Sequence, residues 1–221
     1  MLKDKLSLEE RNNAIDCLKQ WSQKENDTQS LIYKTWYGFC YPFVQDVLGF
    51  HWIDYLVLSS IIKPKKDEAI IEFGAGYPLH IFYSHNIGEK GRHVGIDKTV
   101  KTVNISNKIL KTLGMDDYNF HSVGNIFDVQ CEDGLFDKAV AVNLWTGEPS
   151  FDKFLKKRPY QEFFRILRKG GEYHERFLTV PFDNGKKRIK EGLENEGFSN
   201  VNVRLSPGGF PFVHAQVYAK K

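Results

Sequence analysis

Residues 69 to 80 read Ala-Ile-Ile-Glu-Phe-Gly-Ala-Gly-Tyr-Pro-Leu-His, and no other stretch narrows the fold so far. Ala69 to Phe73 is short, apolar and β-branched, which predicts a buried central strand. Gly74 and Gly76 open backbone angles closed to other residues and let the main chain approach a ligand closely. Pro78 suits the first position of a helix, where its missing N–H costs nothing. A strand, a glycine turn and a helix N-terminus together make a cradle whose free backbone donors face a ligand. Two glycines in a bare tight turn would carry no such meaning, so the rest of the chain has to decide.

A second strand is expected over Arg92-His93-Val94-Gly95-Ile96-Asp97, and Asp97 lies 21 residues past Gly76. A carboxylate at that strand end accepts both ribose hydroxyls of an adenosine cofactor. The alternative role for the same carboxylate is to cap a helix starting near Val100. A dinucleotide fingerprint would place a third glycine at Leu79, and its absence disfavours a nicotinamide oxidoreductase.

Glu72-Phe73-Gly74-Ala75-Gly76 resembles the first motif, acidic-apolar-Gly-x-Gly, of the class I S-adenosylmethionine-dependent methyltransferases. Asp97 matches the family's second acidic position. Gly124-Asn125-Ile126 is similar to its Gly-Asp-apolar stretch around the adenine. Asn125 stands there for the acid, and its side-chain oxygen still accepts from an exocyclic amine. Phe136-Asp137 resembles the opening of the family's fourth strand, and Leu167-Arg168-Lys169-Gly170-Gly171 resembles the turn that precedes its fifth. The chain departs from the pattern at Pro78, where the family often has a further glycine.

The resemblance covers about residues 64–221. It implies an α/β fold: a Rossmann-like, doubly wound, seven-stranded, mostly parallel sheet with a C-terminal antiparallel hairpin strand. It further implies S-adenosyl-L-methionine as cofactor, held by Glu72, Gly74, Ala75, Gly76, Tyr77, Asp97, Lys98, Asn125, Ile126 and Asn143.

The periodicity agrees with that plan. Pro78 to Ile87 and the run from Val103 to Leu113, stopped by Gly114, are expected helices. Tyr118 to Val123 and Phe136 to Asn143 are expected strands. Tyr160, Phe163, Phe164 and Leu167 fall on one helix face, with the helix closing over Arg165 to Gly171. Glu172 to Val180 follows as an unusually polar strand. Ile189 and Leu193 mark a last helix ending at Gly197, and Phe198 to Leu205 with Phe212 to Ala219 form the closing hairpin.

Residues 1–63 are expected to be a separate N-terminal helical cap, before a methyltransferase domain over 64–221. Ser7 with Glu10 makes a capping-box pattern. Tyr33, Trp36, Tyr37, Phe39, Tyr41, Phe43, Phe50, Trp52 and Tyr55 put nine aromatics into 23 residues. Such a segment packs as helices on the main domain, and its polar-tipped rings suit a pocket for a planar or apolar acceptor. At 221 residues and 41% hydrophobic, the chain is long enough to bury a core. Its net charge of +3 gives no ground for a nucleic-acid partner. The clusters Lys156-Lys157-Arg158, Arg165-Arg168-Lys169 and Lys186-Lys187-Arg188 read as solvated helix faces. Three cysteines give no disulfide framework. With no apolar run of spanning length and no signal core, a cytoplasmic protein with no membrane partner is expected.

Methyl transfer from a sulfonium needs mainly proximity, orientation and a dry site. A base is needed only for a protonated acceptor. His51, His80, His174, Glu148 and Tyr37 are the candidates, and the sequence does not choose among them. No metal-spaced His/Asp cluster is present. The loop Asn143-Leu144-Trp145-Thr146-Gly147-Glu148 lacks the polar-Pro-Pro-aromatic tetrapeptide of enzymes that methylate base amines or glutamine amides. A small-molecule acceptor, aromatic or apolar, is therefore expected. The alternatives are an S-adenosylmethionine-binding module without catalysis and an aminocarboxypropyl transferase. The oligomeric state is open.

Overall fold

The computed structural model describes residues 61–76, 87, 90–112, 114–142, 144, 158–179, 184–207 and 213–221. Nearly all of the expected cap, the helix over Pro78 to Ile87 and the second half of the loop after the fourth strand lie outside these residues.

The elements are β1 (Ala69–Phe73), β2 (Arg92–Asp97), α1 (Val100–Thr112), β3 (Asn119–Val123), β4 (Phe136–Val142), α2 (Tyr160–Ile166), β5 (Leu167–Thr179), α3 (Gly185–Asn195), β6 (Ser199–Pro207) and β7 (Val213–Lys220). They build one seven-stranded sheet in the order β3-β2-β1-β4-β5-β7-β6. The pairs β1–β2, β1–β4, β2–β3 and β4–β5 are parallel. Only β7 runs against its neighbours β5 and β6. The Rossmann-like plan with one reversed hairpin strand is what the sequence led us to expect.

Alternation along the strands sorts the sheet into two faces. Ile71, Phe73, Ala139, Ala141 and Tyr173 join the apolar core with Phe163 of α2 and Leu193 of α3. Phe163 packs edge-on to Phe73 at 4.3 Å and stacks on Tyr173 at 4.7 Å. Each such ring, fully buried, contributes about 1.5–3 kcal/mol. The opposite face carries Ile70, His93, Asn119 and Lys138 in register across four strands, all buried. There α1 contributes Val103, Ile105, Ile109 and Leu110 to the core.

Two expectations need correction. The helix ends at Ile166 instead of running on to Lys169, and Leu167 already belongs to β5. Phe136 pairs with Leu167 and Lys138 with Glu172, so the basic-Gly-Gly segment bulges out between two register points. Gly170, at φ 79°, makes that bulge possible. Second, Arg158 is no solvated cation. Its guanidinium is buried 2.7 Å from Glu175 Oε1. The polarity of β5 is thus paired inward: Lys138 Nζ also meets Glu172 at 3.0 Å and Glu68 at 3.1 Å.

The chain order reverses between β1, which leads outward to β2 and β3, and β4, which leads to β5. Ligands of such sheets bind outside the carboxyl ends of the strands at that switch point. Here it is formed by the turn after Phe73 and the segment after Val142.

Candidate functional site

The turn after β1 passes through Gly74 at φ 66° and Gly76 at φ 54°, the left-handed region that glycine enters without strain. The amides of Gly74 and Ala75 both donate to the Ile96 carbonyl, at 2.8 and 3.1 Å, and keep the turn tied to β2. The Gly76 amide then donates to Asp97 Oδ2 at 3.1 Å. Asp97 Oδ1 accepts from the Thr99 amide at 2.8 Å, just before α1 begins. The Gly76 carbonyl accepts from Ser106 Oγ of α1 at 2.8 Å.

The two glycines differ in what surrounds them. A Cβ on Gly74 would meet Leu144 Cδ1 at 2.5 Å, so the turn after β1 and the segment after β4 are in contact. Leu144 is held in turn, because Arg158 Nη1 donates to its carbonyl at 3.1 Å. Among the described residues, a Cβ on Gly76 would meet nothing nearer than the Gly74 carbonyl at 3.9 Å. No described residue crowds the α-carbon of Gly76.

The turn after β3 is fastened to the same acid. The Gly124 amide donates to the Asp97 carbonyl at 3.0 Å, and Val123 is the register partner of Asp97. Asn125 is exposed and its Oδ1 accepts from the Phe127 amide at 3.0 Å, while Ile126 is half-buried. Val100, Val123 and Phe127 are each about half-exposed. They give the strand ends around Asp97 an apolar border, which single-residue motifs did not reveal.

The site residues expected from the sequence fall into three groups. Gly74, Ala75, Gly76, Asp97, Asn125 and Ile126 gather at the carboxyl ends of β1, β2 and β3, with Lys98 exposed beside Asp97. Glu72 lies beneath the turn, fully buried, with its Oε2 3.5 Å from His93 Nε2. Tyr77 and Asn143 lie outside the described residues, as do Tyr37, His51, His80 and Glu148. His174 is buried in β5, where its Nε2 lies 3.2 Å from Glu172 and its ring packs on Tyr218. Burial lowers its pKa. Among the described residues no group of three His, Cys, Asp or Glu is arranged to hold a metal ion.

The site's donors and acceptors fit an adenosyl cofactor. An ionised carboxylate has about four acceptor positions, and the backbone occupies two on Asp97, which leaves the others for a pair of hydroxyls. No described residue crowds Gly76, whose bare α-carbon suits close approach, and the apolar border suits a purine ring.

A sheet of this order with this turn defines a nucleoside-cofactor enzyme of the Rossmann-like type. The comparisons with known proteins narrow it. The profile of a family described as "methyltransferase domain" matches residues 64–176. The chain belongs to that family, and as an S-adenosylmethionine-dependent methyltransferase it takes S-adenosylmethionine as cofactor.

Solved structures share the fold at low identity. A SAM dependent methyltransferase from Aquifex aeolicus is 18% identical, over 76% of this chain and 89% of that one, with a TM-score of 0.58. Geranyl diphosphate C-methyltransferase from Streptomyces coelicolor A3(2) is 12% identical, over 76% and 79%, at 0.61. The [4+2]-cyclase SpnF is 13% identical, over 74% and 80%, also at 0.61. No curated protein matches the sequence.

Proposed function

We propose that the enzyme methylates a small-molecule acceptor by in-line displacement at the sulfonium carbon. The observation that carries this reading is the Gly76 peptide, held by Asp97 and Ser106 with no described residue crowding its α-carbon. In this reading Asp97 takes the ribose hydroxyls, and Gly74 to Gly76 lie along the sulfur-bearing arm. Ile126 faces the adenine, Asn125 its exocyclic amine, and Glu72 supports the turn from below. The cofactor, when bound, supplies an activated methyl group whose leaving sulfur becomes neutral. The chain's own residues orient it and exclude water.

An acceptor with an apolar or aromatic body is supported by the aromatic segment 33–55. It is also supported by the likeness to a geranyl diphosphate C-methyltransferase. The test is incubation with methyl-labelled S-adenosylmethionine and a size-fractionated cell extract. Label in the small-molecule fraction is expected. Label confined to protein or nucleic acid, or none transferred, would overturn the proposal.

A further inference from the structure

We propose that His121 and Ser106 are positioning residues that clamp the Gly76 carbonyl and thereby set the affinity for S-adenosylmethionine. The inference rests on the cofactor reading above and goes beyond it, since neither residue belongs to the motifs that identify the family.

Among the described residues nothing crowds the α-carbon of Gly76, so the orientation of its peptide decides where a ligand meets the main chain. Its amide is fixed by Asp97. Its carbonyl is fixed from two other elements. Ser106 Oγ donates to it from α1 at 2.8 Å, and the His121 ring hydrogen-bonds it from β3. A glycine held at both ends gives up its freedom during folding and not on binding.

The placement of His121 is itself built. A Cβ on Gly95 would lie 2.8 Å from His121 Cδ2 and Nε2, and 2.8 Å from the Ala75 Cβ. The imidazole and the turn thus rest together on the bare α-carbon of Gly95. Asn107, the neighbour of Ser106 on α1, brackets the His121 backbone. Its Nδ2 donates to the His121 carbonyl at 2.8 Å, and its Oδ1 accepts from the His121 amide at 2.7 Å. Two consecutive helix residues therefore grip the turn and the residue beneath it. Burial keeps the His121 imidazole neutral, with its pKa lowered to about 4, so it donates a single N–H near neutral pH.

The experiment is calorimetric titration of wild type, Ser106→Ala, His121→Ala and His121→Gln with S-adenosylhomocysteine. Melting curves of the ligand-free proteins are recorded beside it. Loss of one hydrogen bond predicts about tenfold weaker binding for Ser106→Ala and for His121→Ala. His121→Gln, which keeps an N–H donor, is expected to stay within about threefold of wild type. Ser106→Ala removes one oxygen atom and carries the test if His121→Ala folds poorly. Unchanged affinity in Ser106→Ala, with wild type binding normally, would overturn the clamp and leave the cofactor reading intact. So would His121→Gln binding as weakly as His121→Ala, since the ring would then only fill space. A wild-type protein that gives no response would overturn the cofactor reading, and the clamp with it.

Discussion

The Gly76 amide donates to Asp97 Oδ2 at 3.1 Å, tying the end of the glycine turn to the end of the second strand. The same carboxylate receives the Thr99 amide, so Asp97 shapes the entry to α1 as well as the cradle. Ribose acceptor and helix-start residue were alternative roles for Asp97 in the sequence. In the fold Asp97 fastens the Thr99 amide, one residue ahead of α1, and the geometry leaves room for the ribose.

Asp97→Ala is therefore expected to register in two ways. Two charge-assisted bonds to ribose hydroxyls are worth roughly 2–4 kcal/mol after water replaces the carboxylate, which is about 30- to 1,000-fold in affinity. Loss of the Thr99 contact lowers stability by about 1 kcal/mol. Titration with S-adenosylhomocysteine measures the first and a melting curve the second. Earlier melting with unchanged binding would remove Asp97 from the cofactor site.

The two turn glycines are expected to fail differently. Gly76→Val puts a branched side chain into the cradle and strains a residue at φ 54°. Cofactor binding is lost while the circular dichroism spectrum keeps its folded form. Gly74→Ala drives a methyl group into Leu144 at φ 66° and costs about 1–3 kcal/mol of stability. Urea unfolding measures the latter.

Arg158 and Glu175 are fully buried and 2.7 Å apart, and through Leu144 they support the switch point. Arg158→Met strands the carboxylate and is expected to destabilise the fold by about 3–5 kcal/mol at neutral pH. Burial already raises the Glu175 pKa, and Arg158 opposes the rise most, with a smaller contribution from the Tyr173 hydroxyl. A folded pKa above the unfolded value means that stability declines as pH rises through the folded pKa. The variant will therefore recover part of its loss between pH 7 and pH 5, and adding Glu175→Gln will remove that pH dependence. Urea unfolding at the two pH values checks both.

Acid acts on wild type with the opposite sign. Burial lowers His93 to a pKa of about 3 and His121 to about 4. Each binds its proton more readily when unfolded, so stability is full above about pH 6.5 and is lost as pH falls towards these folded values. Glu172, lowered to about 2 chiefly by its bond to His174, adds its own loss only below the ordinary carboxylate range. From pH 7 to pH 5 the buried histidines, His174 included, therefore act against Glu175, whose raised pKa has the opposite effect. His93→Gln with His121→Gln is expected to reduce the acid loss that melting curves record in that window.

The elements with a period or a punctuating residue were legible in the chain. β1 and β2 begin and end where the apolar runs do, and Gly114 and Gly197 stop their helices at φ 64° and 98°. What stayed hidden was the polar interior. Glu72, His93, His121, Lys138, Arg158 and Glu175 are buried, and most of their partners lie far away in sequence. Spacing along the chain carries no trace of such pairs. Arg158 read as one of three solvated cations because its partner Glu175 sits on another strand. A usable signal did exist. Strands of a parallel sheet are covered on both faces, so a histidine or asparagine inside one must already have a partner. His93 and His121 met that description.

The account stands on the cofactor site at Gly76 and Asp97, and calorimetry of the wild-type chain tests it most directly. Parallel titrations with S-adenosylhomocysteine and with NAD are required. Saturable heat with S-adenosylhomocysteine, and none with NAD at the same concentrations, is the predicted result. Tight binding of NAD with no response to S-adenosylhomocysteine would contradict it.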